Sequence, residues 1–188
     1  MFKVVSRYIS LTIYLFIVFI HFIYIGAILF DNADSYYLIA AIVSMVLLMT
    51  IFHYKVPLKH NADLYEDFYL ILFVVLGAFA AKYIQVIANF NSVLAVSLIG
   101  LLSSYIPNLN KQNNSLKDIP PAIYCGAFIA MSNDVVAFNW VFICIASAVS
   151  GILLIVSKSV FKGVGGKLGT IAFAGVVCTS FLFLLIYN

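Results

Sequence analysis

The chain has 188 residues, of which 65% are hydrophobic and only 9% are charged, and its formal net charge is +3 at pH 7. A soluble domain carries about 25% charged residues, so this composition excludes an ordinary soluble protein and indicates one that lies in a lipid bilayer. The length leaves no room for a soluble domain beside so much apolar sequence, so any substrate or partner must meet the membrane bundle itself.

Seven apolar runs follow one another along the chain and predict an all-α polytopic membrane protein. A helix needs about 20 apolar residues to cross a bilayer, and runs 1, 3, 6 and 7 reach that length. Run 5 is short, so it either crosses as a thin or tilted helix or ends as a half-helix. In chain order, the runs are Tyr8–Phe30, Tyr36–Phe52, Phe68–Ala88, Phe90–Ile106, Pro120–Met131, Val135–Val156 and Leu168–Tyr187.

Basic residues mark one side of the predicted bundle. With seven crossings, nine of the ten basic residues fall on the same side, and Lys82 is the exception. Without run 5 the last three would change sides, which favours seven crossings. Cytoplasmic loops are enriched in Lys and Arg, so we predict a multi-pass inner-membrane protein with its N-terminus inside and its C-terminus outside. The nine are Lys3, Arg7, Lys55, Lys59, Lys111, Lys117, Lys158, Lys162 and Lys167.

A Gly-Ala pair followed by an apolar residue recurs about every 50 residues, at Gly26, Gly77 and Gly126, with a weaker copy at Gly175. This repeat predicts one transmembrane domain, 1–188, built as parallel helical hairpins and a final helix. The final helix has no second helix to complete a hairpin, so one side of it is left uncovered. Packing of another copy of the chain against that side would cover it, which suggests a homo-oligomer. The predicted units are about 8–60, 61–114, 115–167 and 168–188.

Small residues let membrane helices approach closely, so glycines within the apolar runs are predicted packing positions. These are Gly77, Gly126, Gly151 and Gly175. Aromatic side chains near the run ends, Tyr69 among them, predict the usual belt at the membrane interface.

Polar side chains near the outer run ends form the candidate pathway for a solute or ion. Lys82 lies about six residues before the end of run 3, where it either snorkels to the headgroups or binds an anion or carboxylate inside the bundle. Aspartates at the turns are either solvated caps or part of a charged vestibule. The predicted pathway residues are Lys82, Gln85, Asp134, Asn133, Ser132, Asp31 and Asp34.

The polar segment Ser132–Asp134 directly follows run 5 and begins only about eleven residues after the prolines that open that run, Pro120 and Pro121. If run 5 ends inside the bilayer, this segment is non-helical backbone at membrane depth, which is tolerated only when it lines a cavity or is buried in protein. The segment is therefore the strongest indication of a binding site in the chain.

His21 lies near the middle of run 1 and is either a proton-relaying, pH-sensitive group or a hydrogen-bonded core residue. No second His or carboxylate lies one turn away on that run, so no metal site is predicted. The sequence predicts no cofactor and no nucleic-acid partner.

Three functions fit these patterns. The first is a small transporter or channel with a path between the hairpins. The second is a membrane-embedded subunit that anchors or signals to a partner protein, with anionic lipid at the basic inner face. The third is a lipid-processing enzyme. For it, the stretch Phe161–Thr170 resembles the Lys-Gly-Gly-Lys-Gly stretch of small membrane glycerol-3-phosphate acyltransferases over fewer than ten residues. The Ser-Gly-Asn loop expected of that family is absent, so we expect no enzyme activity.

Overall fold

The structure, a computed structural model of the chain, describes residues 2–37, 39–44, 47, 67–110, 112–133, 136–137, 139–157 and 165–187. These residues form helices, turns and short irregular segments, with no β-strand among them. Within predicted run 2, residues 36–37 and 39–44 are helical, and part of the run lies outside the described residues, as does Asp134. The main helices are α1 (Phe2–Asp31), α2 (Leu70–Ala88), α3 (Ser92–Ser104), α4 (Ile119–Ile129), α5 (Trp140–Val156) and α6 (Lys167–Tyr187).

In the part of the chain that the structure describes, three helical stretches are long and apolar enough to cross a membrane, namely Leu70–Ala88, Ser92–Leu109 and Lys167–Ile186. The second consists of α3 and a short helix that follows it, Ile106–Leu109. Their outer surfaces carry large apolar side chains that are exposed, such as Leu76 and Leu184. A surface of this kind suits contact with lipid chains. The prediction of an all-α protein with transmembrane helices is therefore confirmed at this level.

The shortest of the main helices, α4, lies at the centre of the bundle. It packs against α2, α3, α5 and α6, and its contact with α2 is the most extensive in the described part of the chain. The side chains of Ala122, Cys125 and Ile129 are fully buried there. The long helix α1 lies at the edge of the bundle, where it packs on α6 and to a small extent on α5.

The contact between α2 and α4 is made by two glycines. A Cβ atom added at Gly77 would overlap the carbonyl oxygen of Ile123, and one added at Gly126 would overlap that of Val74. The contacts are reciprocal, because Val74 and Ile123 each precede the glycine of their own helix by three residues. The two backbones therefore touch directly, without side chains between them at the crossing.

Hydrogen bonds at both ends of this pair define the relative direction of the two helices. Tyr69 Oη donates to the carbonyl oxygen of Ser115 at 3.1 Å. Gln85 Nε2 donates to the carbonyl oxygen of Ala130 at 3.0 Å. Residue numbers rise together from the first bond to the second, so α2 and α4 run parallel.

Other glycines differ in what surrounds them. A Cβ at Gly151 would lie 3.0 Å from Ile71 Cγ2, where α5 packs on α2, and one at Gly175 would overlap Ser150 Oγ between α5 and α6. In contrast, a Cβ at Gly26 would meet no atom of the described residues within 4 Å. Gly26 occupies the same place in the sequence repeat as Gly77 and Gly126, but among the described residues no helix packs closely on it.

Asparagines define the start of α3 and of α5. The side chain of Asn91 accepts a hydrogen bond from the backbone N–H of Val93, and that of Asn139 accepts one from Phe142, at 2.9 and 2.7 Å. Such N-caps satisfy donors that a helix start leaves unpaired. As a result α5 begins at Trp140, five residues later than the predicted start of run 6.

The reciprocal crossing makes a prediction for stability. Gly77→Ala and Gly126→Ala should each destabilise the protein by about 1–3 kcal/mol, because the added methyl group meets backbone that cannot rotate away. Gly26→Ala is the matched control and should be neutral or stabilising by up to about 1 kcal/mol, since alanine favours helix over glycine. Unfolding of the purified variants in detergent measures this. An equal loss in all three variants would contradict the assignment.

Candidate functional site

The candidate site is the C-terminal end of α4. This helix has 11 residues, so it is about 16 Å long, roughly half the thickness of a bilayer hydrocarbon core. It ends at Ala130, whose exposed fraction is 1%. The end of a helix normally leaves carbonyl oxygens without partners, and here that end is enclosed by protein.

The buried helix end is satisfied almost entirely by its own tight turns. The N–H groups of Ala130, Met131 and Ser132 each donate to the carbonyl three residues earlier, at 3.2, 3.1 and 3.0 Å. Such short-range bonds are the usual way in which a last helical turn tightens. The carbonyl oxygen of Ala130 itself lies beyond their reach and accepts its hydrogen bond from another helix.

Gln85 supplies that bond from α2, at 3.0 Å. Its side chain is half-buried, and its partner lies 45 residues further along the chain. An amide can donate two hydrogen bonds and accept others, so Gln85 joins the two parallel helices while retaining polar atoms for a further contact. Gln85 was predicted as a pathway residue, and the structure places it at the end of the half-length helix.

Lys82 lies one turn before Gln85 on α2 and is half-buried. Residues three apart are neighbours on a helix surface, so Lys82 and Gln85 lie beside each other on α2. Lys82 is turned by about 140° around the helix axis from Gly77, which faces α4, so its side chain is directed further from α4 than that of Gln85. Beyond the end of α4, Ser132 is half-buried and Asn133 is exposed. Of the predicted pathway residues, Gln85 is therefore the one bound to the end of α4, and Asp134 lies outside the described residues.

The other two predicted pathway residues lie elsewhere. Asp31 ends α1 and Asp34 follows in the next turn, and both are exposed. Their helix packs on α6 and α5, whereas Lys82 and Gln85 belong to α2, which packs on α3, α4 and α5. The aspartates thus belong to a different helix contact from the end of α4.

His21 is held by its own helix. Its Nδ1 lies 2.8 Å from the carbonyl oxygen of Ile17, so Nδ1 carries the hydrogen in that bond. The ring packs edge-on against Phe173 of α6, with 5.0 Å between the ring centres. The part of the chain that the structure describes contains no group of three or more His, Cys, Asp or Glu residues arranged to hold a metal ion.

Sequence reasoning missed the role of Tyr69. It was assigned to the aromatic belt, but its hydroxyl links α2 to the 3₁₀-helix Asn114–Lys117 that precedes α4. The sequence carries no signal for this contact, because the acceptor is the backbone carbonyl of Ser115.

Comparisons with protein-family models, with curated proteins and with solved structures found no match to this chain.

The bond between Gln85 and Ala130 predicts a specific loss of stability. Gln85→Met keeps the length of the side chain but removes the donor, so a largely buried carbonyl loses its partner from α2 at a cost of about 1–3 kcal/mol. Gln112→Met is the matched control, because Gln112 is exposed. Its unfolding midpoint should be unchanged. A Gln85→Met protein as stable as Gln112→Met would show that the bond contributes nothing.

Proposed function

We propose that the protein is a small membrane transporter or channel whose solute or ion path passes the end of α4. The observation that carries this proposal is an 11-residue helix whose C-terminal end is enclosed by protein near the end of α2 and is bound by a side chain of that parallel helix. The path would lie beside Lys82, Gln85 and the turn at Ser132–Asn133.

General features of membrane transport support this reading. Transporter binding sites are typically formed where helices are interrupted, because the freed backbone groups and helix ends contact the solute there. Irregular backbone at membrane depth persists only when it lines a cavity or is buried in protein. The described residues between α4 and α5 include buried Ala137 and half-buried Ser132. Lys82 lies one turn before Gln85 on α2 and is half-buried.

The proposal includes the predicted topology of seven crossings, with the N-terminus in the cytoplasm. Two observations support it. First, α2 and α4 run parallel, as the first helices of two successive hairpins must. Second, the glycines at equivalent places in the sequence repeat, Gly77 and Gly126, make equivalent contacts with each other's helices. The homo-oligomer and the binding of anionic lipid at the basic inner face stay predictions.

Labelling of single introduced cysteines tests the topology. Phe90→Cys lies in the turn between α2 and α3, and Gln112→Cys lies between α3 and α4; both native side chains are exposed. A membrane-impermeant maleimide should label the first in intact cells and the second in inverted vesicles, with wild type giving the background from the three native cysteines. Labelling of both positions from the same side would rule out the topology.

Flux into liposomes tests the function. Purified protein should conduct at least one species among protons, monovalent cations and small anions, and Lys82→Met and Asp134→Asn should each lower the rate at least tenfold. Lys117→Met removes an exposed lysine near the opposite end of α4 and should leave the rate unchanged. Since a tenfold change corresponds to about 1.4 kcal/mol, loss of one charged contact in the path is sufficient to produce it.

Flux that depends equally on Lys117 would place the path elsewhere. If every variant, including wild type, fails to move any tested species while remaining folded, the transport proposal is contradicted for those species. Co-purification of a partner protein from native membranes would then favour the membrane-subunit reading.

A further inference from the structure

The contact between α2 and α4 has a fixed centre and one hydrogen bond at each end. Gly77 lies at the crossing, and the two α2 residues that bond to the α4 segment, Tyr69 and Gln85, each lie eight residues from it. At 1.5 Å per residue, each bond is about 12 Å from the crossing along the helix axis. The two hydrogen bonds therefore lie at equal distances on either side of the crossing.

The crossing itself is suited to a small rotation. At Gly77 and Gly126 the contact is made by backbone atoms, with a Cβ position only 2.9 Å from Ile123 Cα or from Ala78 N. No side chain interdigitates at that point, so a change in crossing angle requires no change of rotamer there. In shear motions, packed helices slide past one another by small amounts.

The two terminal hydrogen bonds differ in how costly they are to open. Each joins a side chain to a carbonyl that lies outside a regular α-helix, Ser115 in the 3₁₀-helix and Ala130 beyond the end of α4. The bond from Tyr69 is exposed, so water can replace the lost partner when it opens and the net cost is small. The bond from Gln85 is partly buried and its acceptor belongs to buried Ala130, so opening that end costs more.

We propose that α2 and α4 rock about the glycine crossing, and that the hydrogen bonds from Tyr69 and Gln85 are gates at the two ends of the path. Both gates are closed in this structure. Opening the Gln85 gate gives access to Lys82, which lies one turn nearer the crossing. Opening the Tyr69 gate gives access from the opposite end. This inference rests on the proposed function for its consequence, but the rocking itself is measurable without any solute.

Distances between pairs of spin labels test the proposal, in a protein whose three native cysteines are replaced by alanine. One pair, Val86→Cys with Met131→Cys, reports on the Gln85 end. The other, Phe68→Cys with Gln112→Cys, reports on the Tyr69 end. All four native side chains are exposed, so labelling them leaves the packed contacts in place. The unsubstituted labelled protein should give one dominant distance for each pair.

Removing one gate should change only its own end. In Gln85→Met, the population with a longer distance should rise roughly two- to tenfold at the first pair, as expected for loss of one hydrogen bond, and not at the second. In Tyr69→Phe, the same increase should appear only at the second pair. Tyr83→Phe, which removes an exposed hydroxyl from the same helix, should change neither distance.

Two outcomes would overturn the proposal. Either both pairs lengthen together in each variant, which indicates general loosening, or neither pair changes while the proteins stay folded. Gln85→Asn retains the amide but is too short to reach Ala130, so it replaces Gln85→Met if that variant is unstable. Because distances are measured without solute, a lack of flux with the expected distance changes would contradict the transport function and leave the rocking pair intact.

Discussion

Direct backbone contact between two parallel helices is the constraint on which the rest of the described structure depends. Gly77 and Gly126 allow α2 and α4 to approach until carbonyl groups of one helix lie against the Cα atoms of the other. Side chains of moderate length then span the remaining gap, as Tyr69 and Gln85 do. Larger residues at the crossing would separate the helices and move both donors out of reach of their acceptors. One pair of small residues thus determines both the packing and the polar links between these helices.

The same crossing explains how a half-length helix can end inside the bundle. A buried carbonyl without a partner costs about 1–3 kcal/mol, so α4 can stop at Ala130 only because Gln85 is held close by. The contact between α5 and α6 differs in how close packing and hydrogen bonding are combined. There Ser150 is fully buried against Gly175, and its hydroxyl has no hydrogen-bond partner in the described residues. Close packing outweighs hydrogen bonding at that contact, whereas at the end of α4 both are achieved together.

The positions of many helices follow from local sequence, but which helices pack against one another does not. The last apolar run was predicted at Leu168–Tyr187 and α6 spans Lys167–Tyr187, because Lys167 and the glycines before it mark where the apolar run begins. Gly26 shows the limit of local patterns, since the repeat motif that packs tightly at Gly77 and Gly126 meets no close neighbour among the described residues in α1. Whether a glycine packs depends on the helix beside it, which no local pattern specifies.

The candidate site was also predictable only in part. Lys82, Gln85 and Ser132 were selected because polar residues are costly at membrane depth, and this reasoning needs only one segment at a time. The partner of Gln85 was not predictable, because it is a backbone carbonyl 45 residues away. Backbone acceptors have no sequence signature at all. The late start of α5 was partly predictable, since Asn139 is a residue type that favours helix starts, but an apolar run alone does not show where within it a helix begins.

The separation of the two crossing glycines along the chain has a consequence for biogenesis. Gly77 is synthesised 49 residues before Gly126, and the helical hairpin of α2 and α3 is complete before α4 emerges from the ribosome. Membrane helices insert individually and associate only afterwards. The side of α2 that carries Gly77 therefore contacts lipid until α4 has inserted. During that interval the amide of Gln85 has no acceptor at the end of α4. A nascent chain that stops short of residue 130 therefore presents an unpaired amide and a bare backbone groove, features that membrane quality control can recognise.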